Sequence, residues 1–318
     1  MRPLVFLFLT AFIATSCSSS SDSSDNGDGS DGGAEAGVAY PADHPPLPQV
    51  ISEGGQVMTA PKFVTVTFPN EALLTDIESF SSKIGASQYW TSVVGEYGVG
   101  AGTSSVVHMP TAPDANLTDE QIQSFIASQV GTTLPEPDAN TLYVLYYPSS
   151  TTITMQGGQA CDAFGGYHSA AQVAGGKLAS YTVIPRCPPP FQGVTTLDQL
   201  TASASHEYIE AATDPLNSSK LTYGNADAAG GGWALAGGGA EIGDMCAELG
   251  DVFIRPDDVG YLVQRVWSDQ AAAASHDPCV PQGASPYFNS APNLPDSVSL
   301  DIGAGHAQAV SVVKIPVG

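Results

Sequence analysis

The hardest constraint on this chain is a run of small and apolar residues into which three ionisable side chains are set. Residues 202–205 (ASAS) lead into His206 and Glu207; Tyr208 and Ile209 separate these from Glu210, and Ala211, Ala212 and Thr213 follow. Leu197, Leu200, Ala204, Tyr208 and Ala211 recur at helical spacing and predict one apolar face. Thr196-Leu-Asp-Gln199 reads as a capping box that opens the helix, and Pro215 as its stop. Such a helix belongs inside a protein. Charges buried with it are costly unless each finds a partner.

His206 and Glu210 are four residues apart, so they leave the same helix face one turn from each other. Glu207 sits beside His206, around the helix. This is the HExxH zinc-protease pattern with its second histidine replaced by glutamate. An imidazole and a carboxylate so placed can share one Zn²⁺. Glu207 is then the general base, taking a proton from water whose pKa the metal lowers to about 7. A third protein ligand is needed. Glu241 and Asp244, in AEIGDMC, rank first for that role; His168, in a GGYHS loop, is the next candidate, or else polarises a substrate carbonyl. A purely structural hydrogen-bonded network would satisfy the same charges without a cation.

Ca²⁺ is the less favoured cation. Asp25, Asp28 and Asp31 miss the spacing of EF-hand ligands and read as solvated linker. Asp214 either stops the helix or holds His206 or a neighbouring loop. His44, His108, His276 and His306 lack partners at useful spacing and read as surface histidines. Tyr167 and Tyr223 are candidates to line a cleft. No GxSxG nucleophile elbow is present.

Around this segment the pattern predicts an α+β fold, a mixed β-sheet packed by helices, with a zincin-like active-site helix beneath it. Residues 62–68 (KFVTVTF), 142–147 (LYVLYY), 178–184 (LASYTVI) and 261–267 (YLVQRVW) read as strands. Residues 71–90 read as a helix in two pieces around Gly85. Thr118-Asp-Glu-Gln121 is a capping box for a helix running to about Val130. Residues 285–318 read as a short C-terminal β appendage or tail.

The N-terminus predicts export. Arg2 supplies a positive charge, residues 3–13 a short apolar run, and Ala14-Thr-Ser-Cys17 a bacterial lipobox. Residues 1–16 are therefore read as a lipoprotein signal peptide and Cys17 as the lipidation site. Residues 17–40 are a Ser/Asp/Gly tether too polar to bury a core, and residues 41–284 form the main domain. The expected location is the cell envelope, lipid-anchored at the outer membrane or cell surface, since Ser18 is not the aspartate that retains some lipoproteins inside. A formal charge of −23, with nine Lys and Arg, argues against a nucleic-acid partner. Four cysteines remain after Cys17, an even number suited to an oxidising compartment. Three pairings are open; Cys161–Cys187 and Cys246–Cys279 are favoured because each is local.

The order of LYVLYY, the Cys161…GGYHS segment, ASYTVIP with Cys187 after it, the helix ending AATDP, and AEIGDMC resembles the plant phosphate-induced protein 1 family, also called EXORDIUM, and its bacterial relatives. The similarity covers roughly residues 60 to 280. It implies an extracellular protein of a family linked to cell-wall growth without an established activity. The HExxE residues are a feature of the bacterial side of that resemblance. The expectation for this chain is a surface-tethered, metal-dependent hydrolase, a zinc peptidase acting on peptide or cell-wall substrate. The alternative is a non-catalytic, EXORDIUM-like cell-surface binding protein.

Overall fold

Alternation in the most strand-like runs decides the architecture, because each run is apolar on both faces. The computed structural model describes residues 46–189, 192–227, 230, 232–234, 239–247, 251–282, 297–301 and 307–311. The segments read as signal peptide and tether, with Cys17, and the residues His44 and His306 lie outside them. In chain order the elements are β1 (Val50–Ile51), β2 (Lys62–Thr67), α1 (Leu74–Ile84), α2 (Gln88–Val94), β3 (Thr103–His108), β4 (Asn116–Thr118), α3 (Asp119–Gln129) and β5 (Thr141–Tyr147). There follow β6 (Thr152–Met155), β7 (Gly158–Gln159), β8 (Tyr167–Gln172), β9 (Leu178–Pro185), α4 (Thr196–Thr213), β10 (Asn225–Ala226) and α5 (Asp244–Ala247). The last are β11 (Phe253–Ile254), β12 (Val263–Gln264), β13 (Val266–Trp267), α6 (Asp269–Ala273), β14 (Cys279–Val280), β15 (Ser297–Asp301) and β16 (Ala307–Ser311).

The central sheet runs β3-β2-β5-β9-β8. Its first four strands are parallel; β8 is an antiparallel edge on β9. The fold is α+β, with a mixed sheet covered by helices on both faces. Side chains alternate between the two cores, as strand geometry requires. Phe63, Leu142, Val144, Tyr146 and Ile184 pack with Ile77, Phe80 and Trp90 from α1 and α2 and with Leu200, Ala204 and Tyr208 from α4. Val64, Val66, Tyr143, Leu145, Tyr147 and Val183 face the other way, onto Ile122 and Ile126 of α3.

Helix α4 is set against the sheet by a buried hydroxyl network as well as by apolar contact. Tyr208 Oη lies 2.9 Å from Ser81 Oγ and 3.0 Å from Tyr146 Oη, and Ser81 continues to Thr65. This ties α4 to α1, β2 and β5 directly below the ionisable segment. The α4 capping box starts one residue earlier than its sequence suggests: Asp198 N–H donates to Thr195 Oγ1 (3.0 Å) and Thr195 N–H to Asp198 (3.1 Å). Consecutive threonines offer both frames, and Asp198 is the residue that also meets Arg255, at 2.5 Å. The Thr118–Gln121 capping box opens α3 as read.

One predicted strand is divided. Residues 261–267 form two separate pairings, β12 with β11 and β13 with β14. Arg265 stands between them, fully buried. Its guanidinium donates to Pro281 O (2.8 Å) and Cys279 O (2.5 Å) and pairs with Asp277 and Asp251. These partners pull the chain from one ladder to the other. Both favoured disulfides are present, Cys161–Cys187 and Cys246–Cys279. Within residues 285–318, the described part is an antiparallel hairpin of β15 and β16. Among the described residues no helix is long and apolar enough to cross a membrane.

Arg265→Met keeps the aliphatic stem and leaves Asp277 without its countercharge and the Cys279 and Pro281 carbonyls without their donor. The expected loss is about 3–5 kcal/mol, the usual result of breaking a buried ion pair from one side. Urea denaturation of the variant measures it.

Candidate metal centre

Six ionisable side chains converge where α4 passes the edge strand β8. His206, Glu207 and Glu210 come from α4, His168 from β8, and Glu241 and Asp244 from the segment at the start of α5. His168 is not in a loop: Tyr167 to Gln172 pair residue by residue with Val183 to Leu178. The strand holds its imidazole over the helix, where the side chain is 4% exposed.

His206 Nε2 is 3.0 Å from Glu210 Oε2 and 3.6 Å from Asp244 Oδ1. His168 Nδ1 is 3.5 Å from Glu207 Oε2 and 3.7 Å from Glu210 Oε2. The other ring nitrogen of His168, Nε2, is 3.4 Å from Glu241 Oε1. Two sets of potential ligands result, His206–Glu210–Asp244 and His168–Glu207–Glu210, each with its ligand atoms within 4.8 Å of one another. Glu210 belongs to both. Glu241 meets His168 and is in neither set. One imidazole and two carboxylates around a point form a donor set suited to Zn²⁺ and other first-row divalent cations.

Two glycines let the backbone come this close. A Cβ on Gly243 would lie 2.6 Å from Glu210 Oε1 and 2.8 Å from His206 Nδ1. A Cβ on Gly166 would lie 2.9 Å from Glu207 Oε1. The spacing of these glycines in GGYHS and EIGDMC therefore serves the cluster. The Asp244 backbone N–H also donates to Glu210 Oε1 at 3.1 Å.

A residue with no sequence signal orients His206. Gln264 of β12 places Oε1 3.2 Å from His206 Nδ1, while its Nε2 donates to Gly243 O at 2.7 Å. Its own N–H donates to Ser205 Oγ at 2.9 Å. Nothing in YLVQRVW indicates that its glutamine would meet a helix nearly sixty positions upstream. Asp214 holds a loop rather than His206: its Oδ1 accepts from Thr222 N–H at 2.8 Å. His108 stands apart, exposed, against Thr67 and Glu78.

A cleft of about 600 Å³ opens on the cluster, lined by His168, Glu241, Asp244, Tyr167 and Asn217 among others. Tyr223 is not part of it; it packs edge-on against Tyr97 with ring centroids 5.0 Å apart. Burial and charge pull the cluster in opposite directions. Burial pushes the Glu210 carboxyl up to about 8, with Asp244 and Glu241 adding to the rise and His206 opposing it. Burial likewise raises Asp244 to about 6. Burial by itself would lower both histidines. The carboxylates overcome it: Glu241, Glu207 and Glu210 hold His168 well above its ordinary value, and Glu210, Glu207 and Asp244 do so for His206. Burial would raise Glu241, but His168 holds it below the ordinary value.

No family model, curated protein or solved structure matches the chain.

With any metal removed by chelation, stability should fall as pH rises from about 4.5 to about 8. Glu210 and Asp244 are protonated more readily folded than unfolded, so their contribution is complete below the unfolded carboxylate value and disappears as pH passes about 8 and about 6. The raised histidines act with the same sign. Thermal unfolding midpoints across that range, in chelator, test it. Gly243→Ala should weaken metal affinity by about tenfold or more, the scale of disturbing groups that support ligands, as read by competition with a chromogenic chelator.

Proposed function

We propose that this protein is a metal-dependent hydrolase, a peptidase, whose cation is held by His206, Glu210 and Asp244. The observation that carries the reading is the approach of Asp244 to the His206–Glu210 pair beside an open cleft. Two ligands at i and i+4 on a helix, with a third from a distant segment, leave a coordination position free for catalysis. A bound Zn²⁺ would supply Lewis acidity toward the scissile carbonyl and lower the pKa of the attacking water.

The protein's own groups supply the proton transfers. Glu207, outside this ligand set, accepts a proton as the water oxygen bonds to the carbonyl carbon. The proton passes to the leaving amine as the C–N bond breaks. His168, on the cleft wall, polarises the carbonyl in this reading. The two disulfides suit the extracellular, lipid-anchored location that Cys17 implies, and peptide or cell-wall material is the substrate class met there.

The 3.0 Å His206–Glu210 contact also supports a second reading. Imidazolium–carboxylate pairs would then be structural, and the cleft would bind peptide or glycan without cleaving it, as an EXORDIUM-like surface protein.

Elemental analysis of the purified chain should find stoichiometric metal that chelation removes. Glu207→Gln should cut hydrolysis of a fluorogenic peptide mixture by about 10²–10⁴-fold, the range for lost acid–base catalysis, and keep the His206-bound cation. His206→Ala should lose that cation. A chain that takes up no stoichiometric metal even with added Zn²⁺ is the second, non-catalytic protein.

A further inference from the structure

The cluster holds more ligands than one cation uses. We propose that His168, Glu207 and Glu210 hold a second divalent cation, with Glu210 bridging it to the first, so that the centre is dinuclear. The proposal rests on the metal-hydrolase reading above and changes the part that Glu207 plays in it.

Distances are the first support. Donor atoms bonded at about 2.1 Å around a tetrahedral cation stand about 3.4 Å apart. The contacts of His168 Nδ1 with Glu207 and Glu210 are 3.5 and 3.7 Å, and that of His206 with Asp244 is 3.6 Å. These are too long for sound hydrogen bonds between charged groups. They match the separation of ligands that share a cation, whereas His206 and Glu210, at 3.0 Å, stand at hydrogen-bonding distance.

His168 supplies the second support. Its imidazole is buried, and Nε2 has no hydrogen-bond partner. Glu241 Oε1 is likewise buried and unbonded, although the two atoms are 3.4 Å apart. With Nδ1 given to a cation, Nε2 must carry the ring proton and faces this carboxylate. That is the carboxylate–histidine–metal arrangement which fixes a ligand's tautomer and orientation.

Charge is the third. A histidine ligand is neutral, so Glu207, Glu210, Glu241 and Asp244 leave four negative charges around the two imidazoles. One divalent cation cancels only half of them, although Glu207 and Glu210 are themselves buried. Two cancel all four, which removes the penalty for burying unpaired charge.

In this arrangement Glu207 is a ligand, and the proton-accepting role passes to Glu241, which lines the cleft. The attacking water gives its proton to Glu241 as its oxygen bonds to the carbonyl carbon. Glu241 returns the proton to the amine as the C–N bond breaks. Two cations a few ångströms apart can steady both the attacking and the departing atoms.

Titration of the full chain with Mn²⁺, followed by elemental analysis and electron paramagnetic resonance, tests the proposal. The expected result is two equivalents with an exchange-coupled spectrum. His168→Ala and Glu207→Gln should each retain one equivalent and lose the coupling. A single equivalent in the unmodified chain, or two retained by both variants, overturns the second site while the mononuclear hydrolase stands. No stoichiometric metal overturns both. If His168→Ala does not fold, His168→Gln replaces it, and the spectrum of the unmodified chain decides independently.

Discussion

Putting ionisable groups on a buried helix obliges the rest of the chain to bring countercharges to it. Helix α4 is packed on one side by Phe63, Phe80 and Tyr146, and offers water almost no access to Glu207 or Glu210. An unpaired carboxylate there would cost several kcal/mol. The edge strand β8, the 241–247 segment and β12 each approach α4 and each contributes a polar group at the approach. His168, Asp244 and Gln264 are thus at once elements of the site and conditions for burying the helix. The carboxylates in turn hold both imidazoles above their ordinary values, so charge within the cluster is balanced among its own groups, and the cation proposed above would enter that balance.

Much of the frame is legible in the sequence because it depends on local rules. Strand runs such as KFVTVTF and LYVLYY have one side chain per core, and both appear as adjacent strands of the central sheet. The capping box at Thr118 depends on four neighbouring residues and is present as read. The reading slips where the outcome depends on a distant partner. Arg265 divides a predicted strand because Asp277 and the carbonyls of Cys279 and Pro281 draw it out of line. The α4 cap moves by one residue because Asp198, not Gln199, faces Arg255.

The site follows the same division. His206, Glu207 and Glu210 stand out through helical spacing alone, and Asp244 and Glu241 because they flank Ile242-Gly243 at the end of a glycine-rich stretch. The sequence also singles out His168 but places it in a loop, since GGYHS has turn-like glycines and gives no sign that strand pairing begins at Tyr167. Whether Asp244 or Glu241 joins His206 is a matter of a fraction of a turn at the start of α5, which spacing cannot resolve. Gln264 gives no signal at all, because its role exists only through contacts made in the folded chain.

The disulfides bear on this geometry through position. Cys246 follows Asp244 by two residues and is joined to Cys279, whose strand β14 pairs with β13 immediately after Gln264 and Arg265. The 241–247 segment and the strand that orients His206 are therefore fastened to one another by the fold itself. Cys161–Cys187 does the same for the chain entering β8 and leaving β9, the pair of strands that presents His168. The metal centre proposed above, assembled from three separate segments, would otherwise incur a large ordering cost on binding. Cross-links that hold those segments in register would transfer that cost to folding, leaving more of the binding free energy of the proposed cation for affinity.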